Sequence, residues 1–127
     1  METPHVISII DDDPSVREAT QCLVRSLGYN AQAFSSAEEY LESGRWRDSA
    51  CVITDLHMPG MSGIELQDRL IADGHQIPII FITAYFEDQI RERAMHGGAF
   101  GFLRKPFDDE SLAACLNEAL GGPVTRQ

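Results

Sequence analysis

Five short stretches with a strand pattern, each followed by a segment with helical spacing, constrain the fold of this chain most strongly. The strand-like stretches are 5–10, 30–34, 51–53, 77–82 and 99–103. The segments with helical spacing are 14–27, 37–41, 64–71, 86–96 and 112–120. Strands that alternate with helices in this way form a parallel sheet with right-handed crossovers. The sequence therefore predicts an α/β fold, a single doubly wound five-stranded parallel sheet with helices on both faces.

Local patterns predict where these elements begin and which faces they bury. The apolar stripe of the first helix is predicted to be Val16, Ala19, Leu23 and Leu27. Capping-box patterns at 36–39 and 62–65 mark the starts of the second and third helices, and residues 44–49 are predicted to be a polar loop. The fourth helix has only a thin stripe, so we expect it to be the least firmly held. The domain should span 1–120, with 121–127 as a tail or the start of a linker to a second domain.

Charge and cysteine usage limit the partners and the compartment. Ten Lys and Arg against twenty Asp and Glu give a formal net charge of −10, which argues against direct nucleic acid binding because phosphates are repelled. Cys22, Cys51 and Cys115 are odd in number and widely spaced in apolar patterns. We expect three buried thiols in a reducing cytoplasm. Neither a signal-like start nor an apolar run of membrane-spanning length occurs, so no membrane contact is expected.

Charged and hydroxyl side chains stand at the ends of four predicted strands. Asp11 and Asp12 follow the first strand, Asp55 the third, Thr83 the fourth and Lys105 the fifth. The carboxyl ends of parallel strands meet at one edge, where open α/β sheets bind ligands. Taken one by one, these residues have simpler explanations, such as an acidic helix start, a turn-capping aspartate or a surface lysine. Their joint placement favours a chemical site.

Three converging carboxylates require a cation, because otherwise their mutual repulsion raises their proton affinity. Mg²⁺ suits one carboxylate of the Asp11 and Asp12 pair, Asp55 and a backbone carbonyl, with Mn²⁺ as an alternative ion. With a cation present, Asp55 can attack a phosphoryl group to form an aspartyl phosphate. Lys105 and the Thr83 hydroxyl would then contact the phosphoryl oxygens.

Four motifs in this order resemble the receiver domain of bacterial two-component response regulators, over roughly residues 5–120. These motifs are Ile10-Asp11-Asp12, Asp55-Leu-His-Met-Pro-Gly-Met-Ser-Gly63, Thr83-Ala84 and Lys105-Pro106-Phe107. The segments 13–17, 36–39 and 105–108 are similar to the FixJ subgroup, whose members usually carry a C-terminal helix-turn-helix DNA-binding domain. The resemblance implies a flavodoxin-like, CheY-like fold with strand order 2-1-3-4-5.

The resemblance also implies a role for each site residue. Asp55 would be the phosphoacceptor. The metal ligands would be Asp11, Asp12, Asp55 and, through its backbone carbonyl, His57. The phosphate-contacting and switch residues would be Lys105, Thr83 and Phe102. The peptide bond before Pro106 is expected to be cis. Ala84, Tyr85 and His57 would flank the site, and we expect the large side chains of Tyr85 and His57 to restrict the water that hydrolyses the acyl phosphate.

The resulting function is a signalling switch that accepts a phosphoryl group from a sensor histidine kinase and catalyses only its own phosphorylation and dephosphorylation. Phosphorylation would change the face of the fourth helix and fifth strand, which becomes a homodimer surface or releases an effector domain that regulates transcription. The residues to examine there are Ile90, Met95, Phe100 and Phe102. Phe102 replaces the Tyr of many receivers, so no phenol hydrogen bond can hold an outward-facing ring.

Three other functions stay open. The Asp11-x-Asp13 pattern superficially resembles phosphatases of the haloacid dehalogenase type, although no cap segment is present and the 55–63 motif does not fit. A module of receiver fold that works without phosphorylation is a second alternative, against which the intact set of site residues argues. A flavin-binding domain of the same strand order is a third, and the lack of a glycine- or hydroxyl-rich phosphate loop after Ile10 argues against it.

Overall fold

The computed structural model of the chain describes residues 5–84 and 87–120. Five parallel strands form one sheet in the order β2-β1-β3-β4-β5, as predicted. The strands are β1 (Val6–Ile10), β2 (Asn30–Phe34), β3 (Ser49–Asp55), β4 (Ile79–Thr83) and β5 (Gly101–Arg104). The helices are α1 (Pro14–Ser26), α2 (Ala37–Ser43), α3 (Gly63–Ala72), α4 (Asp88–His96) and α5 (Asp109–Ala119).

Helices cover both faces of the sheet and bury two separate apolar clusters. One cluster packs α1 and α5 against the sheet through Val24, Leu112 and Leu116, which are fully buried. The other packs α2, α3 and α4 through residues such as Tyr40 and Leu66. Because β1, β3 and β4 are covered on both sides, most of their side chains are buried, as expected for central parallel strands.

The face that α1 buries differs from the predicted stripe. The buried residues are Thr20 and Val24, whereas Ala19 and Leu27 are exposed and Leu23 is partly buried. Thr20 can occupy the core because its hydroxyl donates to the Val16 carbonyl one turn earlier, at 2.7 Å. A threonine with its hydroxyl satisfied inside the helix packs as an apolar residue.

Residues 44–49 are not simply a polar loop. A short 3-10 helix (Arg45–Arg47) is followed by Ser49 as the first residue of β3. The Ser49 hydroxyl lies 2.7 Å from the Ser8 hydroxyl and 2.8 Å from that of buried Tyr40. Partners from β1 and α2 therefore draw this polar residue into the strand, which starts two residues before the apolar run.

The capping patterns are confirmed in different degrees. At α3 both halves of the box form, because Ser62 caps the Glu65 amide and the Glu65 carboxylate accepts from the Ser62 amide. At α2 the Ser36 hydroxyl accepts from the Glu39 amide, but the Glu39 carboxylate bonds the amide of Ser35 instead. The Ser35 amide and hydroxyl lower the Glu39 pKa, since they stabilise the carboxylate.

The thiols are not uniformly buried, which corrects the expectation from sequence. Cys51 is fully buried, Cys115 is partly buried and Cys22 on α1 is exposed. Burial raises the Cys51 pKa to about 12. Cys22 is exposed because the buried face of α1 lies on Thr20 and Val24, two positions to either side.

The fourth helix is held to its neighbours mainly near its C-terminal end. Ala94 is its one buried residue, and its N-cap residue Glu87 makes no side-chain capping bond. From α3, the buried Gln67 amide donates to the Ala94 carbonyl at 3.0 Å, and Asp68 pairs with Arg93 at 3.2 Å. Among the described helices, none is both long and apolar enough to span a membrane. The predicted tail, 121–127, lies outside the described residues.

Candidate phosphoacceptor and cation site

Three strands deliver an ion-paired cluster to the carboxyl edge of the sheet. Asp11 follows β1, Asp55 ends β3, and Lys105 follows β5. The Lys105 ammonium nitrogen lies 2.9 Å from Asp55 Oδ2 and 3.0 Å from Asp11 Oδ2. The side chains of these two aspartates are 10% and 0% exposed, and that of Lys105 is 15% exposed. One largely buried lysine thus bridges two largely buried carboxylates, although β5 adjoins neither β3 nor β1 in the sheet.

A third carboxylate stands at the open side of this cluster. Asp12 is exposed, and one carboxylate oxygen from each of Asp11, Asp12 and Asp55 lies within 4.8 Å of the other two. Hard divalent cations prefer oxygen ligands at such a spacing. The acidic pair and the strand-end aspartate that were predicted from sequence are therefore brought together.

Backbone amides fix the direction of the two inner carboxylates. Asp11 Oδ1 accepts a hydrogen bond from the Asp13 amide at 2.9 Å, and Asp55 Oδ1 accepts one from the His57 amide at 3.2 Å. Each aspartate therefore uses one oxygen for its own loop and turns the other toward Lys105. Asp11 Oδ2 and Asp55 Oδ2 therefore both point toward the Lys105 ammonium, where an incoming group can contact them.

Gly63 lets the start of α3 approach the site closely. A Cβ atom at this position would lie 2.5 Å from the Asp55 carbonyl oxygen and 3.1 Å from the Phe81 ring. Only a glycine fits such an approach of two backbones. The glycine that ends the 55–63 motif thus packs the helix start against the strand that carries Asp55.

Burial and charge shift the pKa values of the cluster in definite directions. Burial raises the Asp11 pKa, and the Asp55 charge adds to this, although the Asp13 amide and Lys105 oppose it. Burial alone would lower the Lys105 pKa, but the hydrogen bond to Asp55, the close contact with Asp11 and the negative charges of both carboxylates outweigh it and raise that pKa. The site therefore holds a firmly protonated lysine beside a carboxylate that burial penalises.

The donor set fits a cation. Asp11 Oδ2 is buried and, among the described residues, receives no hydrogen bond of acceptable geometry, although it ion-pairs with Lys105. Its distance of 3.0 Å from the ammonium is short enough for attraction, so the atom is charge-compensated but has free lone pairs. A divalent ion against this oxygen, Asp55 and Asp12 would use those lone pairs and neutralise the excess negative charge.

The remaining predicted residues lie at the same edge or beside it. Thr83 ends β4, is fully buried, and follows Ile82, which pairs with Asp55. Phe102 on β5 pairs with Phe81 and is partly buried, with ring centroids 6.3 Å apart. The side chains of His57 and Ala84 are exposed. Tyr85 lies outside the described residues.

The loop after β5 begins with a cis peptide bond and a backbone hydrogen bond to β4. The peptide bond between Lys105 and Pro106 is cis, as expected. The Lys105 amide donates to the Thr83 carbonyl at 2.7 Å, so the backbone that carries the lysine is tied to β4. This hydrogen bond fixes the backbone from which the Lys105 side chain reaches the two aspartates.

Sequence reasoning did not identify Arg17 as part of this edge. Its guanidinium donates to the Asp11 carbonyl at 2.8 Å from the second turn of α1. The motif at 13–17 contained this residue, but its spacing did not show that the side chain turns back over the acidic loop. Only the packing of α1 beside β1 reveals that contact.

The chain is similar in sequence to known proteins over most of its length. A family model described as the response regulator receiver domain matches residues 7–117. The response regulator protein TmoT of Ectopseudomonas mendocina is 42% identical over 115 residues, which cover 91% of this chain and 52% of that protein. The transcriptional regulatory protein FixJ of Azorhizobium caulinodans is 38% identical over 115 residues, covering 91% and 54%.

Solved structures lead to the same group. The response regulator StyR superposes with a TM-score of 0.86 at 42% identity, covering 93% of this chain and 60% of that one. The crystal structure of FixJ-N gives 0.84 at 30% identity, covering 99% and 100%. The chain spans about half the length of the curated relatives it matches.

The raised Asp11 pKa leads to a stability prediction for the metal-free protein. Because the folded state binds the Asp11 proton more tightly than the unfolded state, stability falls as pH rises from below 3.8 through the raised pKa. Asp11→Asn should therefore raise the melting midpoint at pH 7 by roughly 2–5 °C, the shift expected from about 1 kcal/mol in a domain of this size. The gain should vanish near pH 3, as measured by thermal unfolding in EDTA.

Asp12→Asn is the matched control for this prediction. Asp12 is exposed. Its substitution removes the same charge from the neighbouring position without relieving a burial penalty, so Asp12→Asn should change the melting midpoint much less. A loss of stability in Asp11→Asn at pH 7 would contradict the prediction, because it would show that the pairing with Lys105 outweighs the burial penalty.

Proposed function

Since the chain belongs to the response regulator receiver domain family, we propose that it is a phosphorylation-dependent signalling switch whose phosphoacceptor is Asp55. The observation that carries this proposal is the Lys105 ammonium, which bridges Asp55 and Asp11 beside Asp12. This arrangement holds a carboxylate nucleophile next to a fixed positive charge and a potential cation site. A strand-end aspartate that merely caps a turn needs neither.

Mg²⁺ is the proposed cofactor, with Mn²⁺ as an alternative. Asp11, Asp12, Asp55 and the backbone carbonyl of His57 would hold it. When bound, the ion supplies positive charge that offsets the charge on the phosphoryl oxygens in the transition state. The chain contributes the orientation of the ligands, since the Asp13 and His57 amides fix the inner carboxylates.

The phosphoryl transfer is a direct displacement at phosphorus. An Asp55 carboxylate oxygen forms a bond to phosphorus as the bond to the donor imidazole nitrogen breaks, and the released imidazole takes up a proton from solvent. Lys105 stays protonated during the transfer, as its raised pKa favours. Its ammonium would move from the Asp55 carboxylate to a phosphoryl oxygen, which then carries the negative charge. The Thr83 hydroxyl, on the neighbouring strand, would contact another oxygen. The chain catalyses only its own modification, without turnover of an external metabolite.

The signal would travel along β4 and β5 to α4. Thr83 ends β4, and Phe102 lies on β5 beside Phe81. A Thr83 side chain drawn toward the phosphoryl group would leave space that the partly buried Phe102 ring can fill. The sparse burial of α4 suits an element with two arrangements of similar energy. Tyr85 and His57 would restrict the hydrolytic water, as the sequence suggests.

A sensor histidine kinase is the proposed phosphoryl donor, and a groove beside Lys105 would receive it. The groove has a volume of about 490 Å³ and runs between α1 and the loop after β5. Its apolar lining includes Val16, Ala19, Leu23 and Phe107. A donor histidine must come within bonding distance of Asp55, so the donor protein has to cover the surface that adjoins the site.

The output is proposed by analogy with relatives named as transcriptional regulators. The α4 and β5 face would mediate a homodimer or release a DNA-binding domain, and the receiver itself would not contact nucleic acid. The cytoplasmic location remains a prediction from sequence.

Phosphorylation at Asp55 is tested by intact mass after incubation with acetyl phosphate. The wild type should gain one phosphate only when Mg²⁺ is present, because the cation and Lys105 must both compensate the added charge. Asp55→Asn should gain none, and Lys105→Ala should react at least about 100-fold more slowly. If the protein is folded, takes up no phosphate and releases none from the donor, the proposed function is wrong.

The kinase groove is tested with Ala19→Arg. Ala19 is exposed on α1 and lines the groove, and it is not one of the ion-paired residues. Transfer from an autophosphorylated kinase transmitter domain that phosphorylates the wild type should slow by roughly 10-fold, as for loss of a contact worth about 1.4 kcal/mol. Phosphorylation by acetyl phosphate should stay unchanged. Equal slowing with both donors would mean that the substitution damages the site rather than the docking surface.

The proposed dimer face is tested by light scattering with beryllofluoride, a stable mimic of the acyl phosphate. We expect the wild type with Mg²⁺ and beryllofluoride to double its mass, and Met95→Glu on α4 to remain monomeric. Ile71→Glu on α3 is the control, because Ile71 is also an exposed apolar residue, at 52% against 43% for Met95. A mass that does not change in the wild type would exclude this dimer as the output.

A further inference from the structure

We propose that Glu38 on α2 is a positioning residue for the cation site, because its carboxylate holds the loop that links β3 to α3. This inference rests on the proposed function, since the loop carries the His57 carbonyl that is assigned there as a metal ligand. Among the described residues, no hydrogen bond or ion pair joins Glu38 to Asp55 or to the acidic pair, so Glu38 acts through the backbone of the loop.

The contact comes from a part of the chain remote in sequence. Glu38 Oε2 accepts a hydrogen bond from the Met61 amide at 3.0 Å, across 23 residues. Two backbone donors close the ends of this loop: His57 donates to the Asp55 carboxylate at 3.2 Å, and Gly63 donates to the Leu56 carbonyl at 3.0 Å. Glu38 therefore holds the middle of the loop from outside.

The lack of a side chain at Gly60 allows the Glu38 carboxylate to approach the loop closely. Its φ of +77° is one that side-chain-bearing residues rarely adopt, and a Cβ atom there would lie 2.5 Å from Glu38 Oε2. The Glu38 oxygen therefore packs directly on the Gly60 backbone while it accepts from Met61. Within the 55–63 motif, Gly60 thus permits both the turn and the close approach of α2.

The start of α2 is a firm support for this contact. Ser36 caps the helix through the Glu39 amide at 3.0 Å, and the Glu39 carboxylate accepts from the Ser35 amide at 2.6 Å. Tyr40 anchors the same turn in the core, fully buried and with its ring 5.3 Å from that of Phe34. A carboxylate presented from a capped and anchored turn transmits its position to the loop, as an outer-shell partner does to a metal ligand.

The charge of Glu38 offers a competing explanation, because any carboxylate near a cation site strengthens the negative potential there. Glutamine separates the two effects. Glu38→Gln keeps an oxygen that can accept from the Met61 amide but removes the charge, whereas Glu38→Ala removes both. Glu42→Ala is the matched control, since Glu42 is exposed on α2 one turn further along.

The experiment measures two properties of the unphosphorylated protein. Hydrogen exchange of the Met61 amide, followed by NMR without metal, reports the contact itself. Calorimetric titration with Mg²⁺ reports the site. In Glu38→Ala we expect faster exchange at Met61 and Mg²⁺ affinity weaker by roughly 3- to 10-fold, at or below the low end of the loss for a partner that bonds a metal ligand directly, because exposed Glu38 acts through the loop backbone. Glu38→Gln and Glu42→Ala should stay within about twofold of the wild type in affinity.

Each other outcome overturns the proposal in a recognisable way. If Glu38→Ala binds Mg²⁺ as the wild type does, the contact is a surface hydrogen bond without influence on the site, and the proposed function stands. If Glu38→Gln is as weak as Glu38→Ala, charge and not position is responsible. If the wild type binds no Mg²⁺ at millimolar concentration, the proposed function fails with it, which the phosphate-uptake experiment shows independently.

Discussion

Mutual repulsion among three carboxylates at one sheet edge is the constraint on which the site depends. Asp11 and Asp55 are nearly or fully buried, so their charges are poorly screened, and Lys105 is the described cation that lies between them. The lysine can balance one of the two inner charges. The site therefore has excess negative charge, which a divalent ion can neutralise and which an incoming phosphoryl group increases.

The surrounding backbone keeps these charged groups in fixed positions. The Asp13 and His57 amides fix the two inner carboxylates, and the close approach at Gly63 packs the start of α3 against the end of β3. Electrostatic interactions act most strongly between groups that do not have to reorganise. The loops after the strands are therefore as much part of the site as the side chains they carry.

The elements and the residues of the site could be predicted from sequence to very different depths. Apolar runs that end in Asp11, Asp55 and Thr83 were sufficient to predict the strands and the shared edge, because parallel strands all end on the same side. The approach of Arg17 and Glu38 to the loops was not predictable, since it depends on how helices remote in sequence pack beside them. A pattern along the chain contains no information on such an approach.

Two errors in predicting the fold from sequence, at Thr20 and at Ser49, have the same origin. The predicted α1 stripe is half right, because Val16 and Leu23 do pack against the core, partly buried, whereas Thr20 and Val24 are buried in place of Ala19 and Leu27. A pattern of apolar residues omits Thr20, although its hydroxyl is satisfied within the helix. Ser49 was assigned to a loop, although hydroxyls from β1 and α2 lie around it in the folded state. Both residues are polar by composition and buried by virtue of their hydrogen bonds, so hydropathy alone misplaces them.

The attachment of α4 determines the kind of motion that this helix can make. Gln67 holds the Ala94 carbonyl, and the same side chain leaves no room for a Cβ atom at Gly97, so the C-terminal end of α4 and α3 are closely fitted. The opposite end begins at Asp88 with no side-chain cap. A rearrangement that preserves the Gln67 contact would therefore be a pivot about the last turn, in which displacement grows with distance from Ala94 and the packing of Ile90 on the core has to shift. In such a pivot the helix would act as a lever whose far end, at Asp88, lies on the side of the sheet where β4 ends.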